Sequence, residues 1–458
     1  MKMLFKSISS KDFGKGQRRD YKIIMIAKEL QIFKLPYGQG SIEFSLPKDN
    51  VQAVLLPKSF PHSSLSEEEI IRESLRNPIT SPPLKELVRG KKHILIITND
   101  NTRPNTSKVT IPLLLEEIRL GNSSAKITIL IATGLHSKLS NEELGEKFTE
   151  EILDSTDIFI HDAYNDLAYI SKLSTGNELW VNKIVLDADL IIAEGNIEPH
   201  FFAGFTGGRK SILPGISGYK TIFTNHSAGK IDHPFSKNGV LEGNPIHIEM
   251  CESAYKGGLS FILNVVLDRD KRIIKAFSGD PIMAHEVGVN FVKDYAVVAS
   301  SLSEIVITSN SGYPLDRNVY QTVKGISVAA ETVKPGGIII IMAECRDGVG
   351  HQVFYDLLSN TSSPTELLEQ IRKGKIYCAD QWQVQILAKI LEKDFVILVS
   401  DKLDRYTVEN IHMLYASSIQ EALDIAFSLK GKESKLTILP EGPKTIIAGG
   451  GYGNGSNP

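Results

Sequence analysis

Cysteine is scarce in this chain of 458 residues, which has only Cys251, Cys345 and Cys378. No two of them form a CxxC pair, the usual unit of cysteine zinc sites and of dithiol motifs. Three scattered thiols also cannot build the framework of a disulfide-stabilised protein. We therefore expect neither a disulfide scaffold nor a zinc site made of cysteines.

Long apolar runs and an excess of one charge are also missing. No run approaches the roughly 20 apolar residues of a membrane-spanning helix, and the basic start MKMLFKSISSKDFGKGQRRDYK lacks the apolar stretch of a secretory signal. The net charge of −3 provides no attraction to nucleic acid or to an anionic membrane. These absences predict a cytoplasmic protein whose partners are neither nucleic acids nor membranes.

Short β-branched runs alternate with helical patterns from about residue 90 onward. Continuous apolar runs are typical of strands in a mostly parallel sheet that is covered on both faces. Between them, 110–120 and 318–333 have helical spacing, and Ser140 with Glu143 forms a predicted capping box. The predicted strands are 93–98, 126–133, 188–195, 261–268, 304–310, 336–344 and 394–400.

The length predicts two or three domains, and the alternating pattern predicts the α/β class. We divide the chain into a disordered extension at 1–27, an N-terminal α/β domain at 28–295 and a C-terminal α/β domain at 296–436. The hinge is expected near 290–300.

Polar clusters follow several of the predicted strands. In open α/β sheets, ligands bind at the carboxyl ends of the strands, so this placement predicts a site. The clusters are Asp100-Asn101-Thr102-Arg103 after 93–98, His136 after 126–133, His200 after 188–195, and Tyr320, Gln321 and Lys324 on the helix after 304–310.

Asp100 to Arg103 precede a helix that is predicted to begin near Thr106. Free N–H groups at a helix start, with a guanidinium close by, favour a phosphate or another anion. A surface turn capped by the aspartate is an equally good interpretation of this segment alone.

His136 and His200 are placed at the same predicted sheet edge. A single histidine is more often structural than catalytic. Two imidazoles that flank one pocket, however, can exchange protons on opposite faces of a small substrate, which is what inversion of a stereocentre requires.

The richest segment is EGNIEPHFFAGFTGGRKSILPGISGYK (194–220), which mixes glycines, phenylalanines, His200 and Lys210. GFTGGRKS resembles a phosphate-binding loop, but Arg209 stands where that motif needs glycine, so the match fails. A neighbouring Arg209 and partial burial would lower the pKa of Lys210 and favour a nucleophilic amine. The competing interpretation is a surface lysine.

Four further side chains are candidates for a site. His226 can complete the coordination of a metal if a cofactor provides the other ligands. Gln321 and Lys324 lie three residues apart and can clamp a carboxylate, or they can belong to an exposed helix face. Trp382 is either a pocket wall or a core residue.

Over residues 28–458 the chain resembles the nickel-pincer-nucleotide lactate racemase family. The resemblance is carried by DNTRP (100–104), ATGLH (132–136), EPHFFAGFTGGRKSILPG (198–215), TNHS (224–227), SNSGYPLDRNVYQTVKG (309–325) and DQWQ (380–383). It implies two α/β domains with mostly parallel sheets, an active-site cleft between them, and a tail (437–458) that returns to the first domain.

The resemblance also implies roles for individual residues. Lys210 looks like the lysine that attaches covalently, through a thioamide, to Ni(II)-pyridinium-3,5-bisthiocarboxylic acid mononucleotide. His226 looks like the only protein ligand to nickel, and Asp100, Asn101, Thr102 and Arg103 look like the segment that holds the mononucleotide. His136 and His200 resemble the acid/base pair. Gln321, Lys324, Tyr320, Arg103 and Trp382 resemble the substrate-binding set.

The implied activity is interconversion of L- and D-lactate by hydride transfer coupled to proton transfer. The implied partners are a small 2-hydroxy acid such as lactate, together with cofactor-synthesis and nickel-insertion proteins. A racemase or epimerase of another 2-hydroxy acid fits the same residues. A nucleotide-dependent transferase and a non-catalytic cofactor carrier are weaker alternatives. The first lacks the phosphate-loop glycine, and the second has no use for His136, His200 and Lys324 together.

Overall fold

The structure is a computed structural model that describes residues 29–61 and 63–448. The predicted disordered extension at 1–27 lies outside the described residues, as does the end of the predicted tail from 449 onward.

The strands, numbered along the chain, are β1 Leu30–Tyr37, β2 Gly40–Pro47, β3 Val51–Val54, β4 His93–Asn99, β5 Lys126–Ala132, β6 Asp157–Ile160, β7 Leu167–Lys172, β8 Glu178–Asn182, β9 Leu190–Asn196, β10 Pro199–His200, β11 Gly204–Phe205, β12 Leu259–Leu267, β13 Ile273–Gly279, β14 Val297–Ala299, β15 Ser303–Ser309, β16 Val333–Met342, β17 Phe395–Val399, β18 Leu414–Ala416, β19 Leu436–Leu439 and β20 Ile446–Ala448.

The helices are α1 Glu67–Arg76, α2 Leu84–Leu87, α3 Ser107–Gly121, α4 Asn141–Lys147, α5 Glu150–Ser155, α6 Tyr219–Asn225, α7 Ala228–Ile231, α8 Pro245–Lys256, α9 Met283–Ala296, α10 Val319–Ala330, α11 Gln352–Ser359, α12 Pro364–Arg372, α13 Gln381–Leu391, α14 Arg405–Glu409 and α15 Ile419–Lys430. Short 3₁₀ turns lie at Lys48–Asn50, Lys183–Asp187, Gly208–Ser211 and Gly442–Lys444.

The first large sheet has the strand order β13-β12-β9-β4-β5-β6. All neighbours pair in parallel except β12 with β13, which are antiparallel. The chain runs from β4 outward through β5 and β6, and β9 then returns to the other side of β4. This reversal opens a crevice at the carboxyl ends of β4 and β9, where open α/β sheets bind ligands.

The second large sheet has the order β18-β17-β16-β15-β19-β3 and is parallel throughout. Its central strands are apolar and buried on both faces, and in β16 the fully buried apolar run extends from Ile338 to Met342. A second reversal of strand order lies between β15 and β19. The protein is therefore an α/β fold with mostly parallel sheets, as the alternating pattern predicts.

Each predicted strand matches an observed strand to within a few residues, and both predicted helices are present as α3 and α10. The predicted capping box is confirmed: Ser140 accepts from the backbone N–H of Glu143, and Glu143 accepts from the backbone N–H of Ser140. The predicted start near Thr106 is also confirmed, because α3 begins at Ser107.

The segment before residue 60 differs from the prediction. The 28–295 division assigns it to the N-terminal domain, whereas β3 pairs with β19 at the edge of the second sheet. The β1–β2 hairpin packs Phe33, Leu35 and Leu46 against the apolar core of that same sheet. The alternation of apolar residues in the hairpin indicates that one of its faces is buried, but it does not indicate which of the two sheets that face packs against.

The tail also has two attachments. Strand β19, at its start, lies inside the second sheet between β15 and β3. Further along, the side-chain amide of Asn238 donates to the carbonyl of Thr445 over 2.7 Å, so this part of the tail contacts the first half of the chain.

Among the residues that the structure describes, none of the helices combines the length and the apolar character needed to cross a bilayer.

The hairpin should contribute to stability through its buried face. We expect Leu46→Ala, which truncates a side chain that is 1% exposed, to lower the free energy of unfolding by about 2–5 kcal/mol. Ile32→Ala is the matched control, because Ile32 lies on the same hairpin and is 65% exposed; it should change stability by less than about 0.5 kcal/mol. Urea unfolding measures both, and equal effects would contradict the packing of this hairpin on the second sheet.

Candidate active site

The cavity that contains the predicted site residues lies between the carboxyl ends of the two large sheets. The loops after β4, β5 and β9 provide one wall, and α10 with the start of α13 provides the other. The lining includes Asp100, Thr102, Arg103, His136, His200, Lys210, His226, Tyr320, Gln321, Lys324 and Trp382. The structure therefore brings together the sequence-predicted site residues except Asn101, whose side-chain amide donates instead to the carboxylate of Glu143.

Asp100 and His136 form an ion-pair contact at the first sheet. Nδ1 of His136 lies 2.6 Å from Oδ2 of Asp100. Burial raises the pKa of Asp100, but His136, Thr102 and Arg103 together outweigh it and lower this pKa to about 2. The carboxylate is thus charged and favours a proton on Nδ1 of His136, which leaves Nε2 as the ring nitrogen that Asp100 does not contact.

Both interpretations of the 100–103 segment find support in the geometry. Asp100 accepts hydrogen bonds from the backbone N–H and the hydroxyl of Thr102, at 3.1 and 2.6 Å, as in a capped turn. The same turn directs Arg103 into the cavity, where its charge lowers the pKa of Lys210, His200 and Lys324. The turn therefore positions a guanidinium.

His200 is buried on the same wall as His136 but has a different environment. Its Nδ1 accepts from the backbone N–H of Ala203 over 3.3 Å, so the neutral ring carries its proton on Nε2. Phe201 and Phe202 pack against the ring at centroid distances of 4.9 and 4.6 Å. Burial, followed by the charge of Lys210, lowers the pKa of His200 well below its usual value.

Lys210 lies at the centre of the cavity, on the 3₁₀ turn Gly208–Ser211. Its Nζ is 3.2 Å from Nε2 of His200. Burial and the charges of Arg103, Arg209 and Lys324 lower the pKa of Lys210 well below its usual value. The direction predicted from Arg209 and burial is confirmed, and the amine is in the neutral, nucleophilic form.

Arg209 is fully buried beside Lys210 and fixes the loop that carries it. Its guanidinium donates to the carbonyls of Ala203 and Gly207 at 2.9 and 3.1 Å. It also lies 3.0 Å from Nδ1 of His247 and 2.9 Å from Nε2 of His285. These contacts satisfy the donors of a buried cation and tie both sides of the turn together.

His226 follows α6 and faces the cavity next to Trp382. The two rings meet edge to face at a centroid distance of 5.0 Å, and Phe202 packs on His226 at the same distance. Burial, Lys210 and Lys230 lower the pKa of His226 well below its usual value, so the imidazole is neutral. Its Nδ1 is buried and has no hydrogen-bond partner within the described part of the chain. Trp382 is thus both a pocket wall and a core residue.

The helix α10 presents its first turns to the cavity. Gln321 is 5% exposed, so the exposed-face interpretation is wrong for this residue. Nζ of Lys324 donates to Oε1 of Gln321 over 2.5 Å. Burial and Arg103 lower the pKa of Lys324 to about 7, and burial with Asp380 raises the pKa of Tyr320 well above its usual value.

Sequence reasoning missed a second histidine–carboxylate pair on this wall. Nδ1 of His351 lies 2.9 Å from Oδ2 of Asp380, and Asp380 lines the cavity. It also missed the buried Glu194, which accepts from the hydroxyls of Ser107 and Thr110 at 2.6 and 3.0 Å. Asp380 stands in the DQWQ motif, but nothing in one sequence reports its pairing with a histidine 29 residues earlier.

The residues fit the attachment and the metal contact of the expected cofactor. Lys210 offers a neutral amine, and the unpartnered imidazole nitrogen of His226 is the kind of donor that binds a divalent transition metal. No group of three or more His, Cys, Asp or Glu converges as a metal site in residues 29–61 and 63–448. A metal at His226 would therefore need most of its ligands from a bound group.

The fold and the cavity define a two-sheet α/β enzyme with three imidazoles and a buried lysine around one pocket. Comparison with known proteins agrees. The family models described as lactate racemase N-terminal domain and lactate racemase C-terminal domain match residues 37–239 and 298–447.

Two characterised relatives cover most of the chain. A lactate racemase of Thermoanaerobacterium thermosaccharolyticum is 44% identical over 419 residues, or 90% of this chain and 98% of the relative. A lactate racemase of Lactiplantibacillus plantarum is 43% identical over 418 residues, or 90% of this chain and 99% of the relative. The chain belongs to the lactate racemase family, whose members are isomerases.

Solved structures agree with the fold. The lactate racemase apoprotein from T. thermosaccharolyticum superimposes with a TM-score of 0.88 and 43% identity, and the match covers 91% of this chain and all of that one. A protein from Thermotoga maritima matches with a TM-score of 0.64 at 18% identity, over 85% of this chain and 99% of that one. The second likeness concerns the fold alone.

The Asp100–His136 pair makes stability depend on pH in a defined window. The pKa of Asp100 is lowered to about 2 in the folded protein, from an ordinary value of 3.8. Its stabilising contribution is therefore complete above about pH 4 and is lost as the pH falls toward 2. The expected size is about 2 kcal/mol.

Asp100→Asn removes this contribution. The difference in free energy of unfolding between wild type and variant should shrink by that amount between pH 4 and pH 2, as urea unfolding at a series of pH values can measure. A difference that stays constant over this range would contradict the charged state assigned to Asp100.

Proposed function

We propose that the protein is a lactate racemase that interconverts L- and D-lactate, with a nickel-pincer nucleotide attached covalently to Lys210. The observation that carries the proposal is the convergence of a neutral buried amine, an unpartnered imidazole at His226 and two further imidazoles on one cavity. The family relationship supports the substrate, since both characterised relatives are lactate racemases.

In this proposal Lys210 holds the cofactor and His226 is the one protein ligand to nickel. The mononucleotide is held by Asp100, Asn101, Thr102 and Arg103. The role of Asn101 has the weakest support of these four, because its amide donates to Glu143. When bound, the cofactor supplies a reversible acceptor for hydride. The protein must therefore supply proton transfer, orientation of the substrate and exclusion of water.

Proton transfer falls to His136 and His200. The free Nε2 of His136 accepts the hydroxyl proton, because Asp100 keeps the other nitrogen protonated. His200 serves the opposite face. A carboxylate bound beside Arg103 and Lys324 would offset two of the charges that lower the pKa of His200, so substrate binding favours the protonated form that gives a proton back.

Orientation of the substrate falls to the α10 wall. Lys324 supplies a point charge and Gln321 a hydrogen-bond donor for the carboxylate, with Arg103 across the cavity and Tyr320 and Trp382 as walls. Holding the carboxylate at one end lets the reacting carbon present either face while it stays bound.

A racemase or epimerase of another 2-hydroxy acid is the alternative that these residues also allow. The two proposals are distinguished by assaying a panel of single-enantiomer 2-hydroxy acids with chiral chromatography, because the preferred substrate has the highest kcat/KM. The buried Arg209 in place of the phosphate-loop glycine disfavours a nucleotide-dependent transferase.

The wider setting follows from the same proposal. The protein would act in the cytoplasm, and it would receive its cofactor from cofactor-synthesis and nickel-insertion proteins. We also propose a domain boundary near residue 296, which the separate family matches at 37–239 and 298–447 support.

The cofactor proposal is tested by intact mass and metal analysis of protein made together with the cofactor-synthesis enzymes. We expect a mass adduct on Lys210 and about one nickel per chain, as a single site requires. Lys210→Arg should remove the adduct and the activity, because a guanidinium is too weakly nucleophilic to be acylated. Lys220→Arg is the matched control at an exposed lysine nearby and should retain both.

His226→Ala separates attachment from metal binding, since it should retain the adduct and lose nickel. Racemase activity from wild-type protein with an unmodified mass would overturn the proposal.

The two acid/base histidines are tested by substitution in the loaded protein. His136→Ala and His200→Ala should each lower kcat by about 10²-fold or more, while adduct and nickel content stay near those of wild type. The decrease in kcat should be the same for conversion of L- to D-lactate and of D- to L-lactate, because each conversion uses both imidazoles. Full activity in either variant would remove that residue from the mechanism.

A further inference from the structure

A second histidine–aspartate pair, His351–Asp380, faces His136 across the mouth of the cavity. His136 belongs to the first-sheet wall, where Asp100 holds its Nδ1, and His351 belongs to the second-sheet wall, where Asp380 holds its Nδ1 at 2.9 Å. The two rings meet edge to face with centroids 6.5 Å apart. In each ring the carboxylate contacts Nδ1, which leaves Nε2 free of that carboxylate.

Three segments hold His351 in place. Its ring stacks on Tyr320 at a centroid distance of 4.3 Å and an angle of 27°. The loop before it caps α10, since the carbonyls of Gly348 and Val349 accept from the N–H groups of Val319 and Tyr320. Asp380 has a left-handed backbone with φ of 66°, which is costly for a residue with a side chain. The buried carboxylate of Asp380 contacts the imidazole of His351 and also hydrogen-bonds the side chain of Tyr320, so it holds both stacked rings in place.

His351 is partly exposed to solvent. The His351 side chain is 31% exposed, and Asp380 behind it is 6% exposed. The Nε2 of His351 has no hydrogen-bond partner among the residues the structure describes, so it is free to bind water. Water can bridge polar groups that do not touch directly, and imidazole is the side chain that exchanges protons near neutral pH.

The chemistry of the proposed function needs such a group. Each conversion in one direction leaves a proton on the imidazole that took it and removes one from the imidazole that gave it. Continued conversion therefore requires both to return to their starting states. His136 and the neighbouring His351 are both partly exposed, at 30% and 31%, whereas His200 is buried at 7%, so proton exchange with solvent takes place on the His136 side of the cavity.

We propose that His351, oriented by Asp380, is the proton-exchange residue that carries the proton of His136 to and from solvent between turnovers. The proton moves from Nε2 of His136 through a bridging water to Nε2 of His351, and from there to bulk water or buffer. No bond other than O–H and N–H bonds changes. This inference rests on the proposed two-histidine racemisation.

The kinetic test compares His351→Gln with wild type in loaded protein at low buffer concentration. Glutamine keeps a donor toward Asp380 but cannot exchange a proton near neutral pH. We expect kcat to fall roughly tenfold or more, KM to stay within about twofold, and added imidazole to restore kcat, because a soluble base replaces the missing group. Asp380→Asn should show a smaller loss with the same rescue, and His233→Gln, at an exposed histidine, should match wild type.

A second readout does not depend on activity. In protein without cofactor, nuclear magnetic resonance of ¹⁵N-labelled histidine gives the rate at which the ring protons of His136 exchange with water. This exchange should be slower in His351→Gln than in wild type and unchanged in His233→Gln.

Three results would overturn the inference. They are full kcat in His351→Gln while His136→Ala is inactive, a raised KM with no rescue by imidazole, or unchanged exchange at His136. The second result would make His351 a positioning residue for Tyr320. Absence of racemisation in wild type would instead reject the proposed function, and the exchange measurement would still test the contact between the two pairs.

Discussion

The burial of the Arg209 guanidinium is the constraint on which the site depends. A cation removed from water is tolerated only when its donors are satisfied, and here carbonyls and two imidazoles satisfy them. Because the acceptors lie on both sides of the glycine-rich turn, the same contacts fix the turn in space. Lys210 is then held next to a second positive charge, away from water. Its neutral amine follows from this arrangement.

The site also depends on where the two sheets reverse their strand order. Asp100 and His200 follow β4 and β9 at one reversal, and α10 follows β15 at the other. The first sheet contributes the two proposed bases and Lys210. The second sheet contributes the groups that are proposed to bind the carboxylate. Neither sheet carries a complete set, so the proposed chemistry requires the two walls together.

Much of this arrangement could be predicted from the sequence. Strands such as 338–341 are buried on both faces and therefore appear as unbroken apolar runs, and polar residues that end such runs must gather at one sheet edge. The attachment of β3 and the orientation of Asn101 could not be predicted in this way. The attachment of β3 depends on which of the two sheets accepts a short strand at its edge. The orientation of Asn101 depends on Glu143, which accepts a hydrogen bond from its side-chain amide. The pairing of His351 with Asp380 joins residues from two separate loops, and no local pattern records such a contact.

The two sheets are completed at different stages of protein synthesis, because they take their strands from different parts of the chain. The first sheet is built entirely from residues 93–279, whereas the second needs β3 from near the beginning and β19 from Leu436–Leu439 near the end. The ribosome synthesises the chain in order, so the first sheet can form before Leu436–Leu439 has been made, whereas the second sheet cannot be completed until then. The wall of the cavity that carries Gln321 and Lys324 is thus completed last. The wall that carries Lys210 forms before α10 packs opposite it.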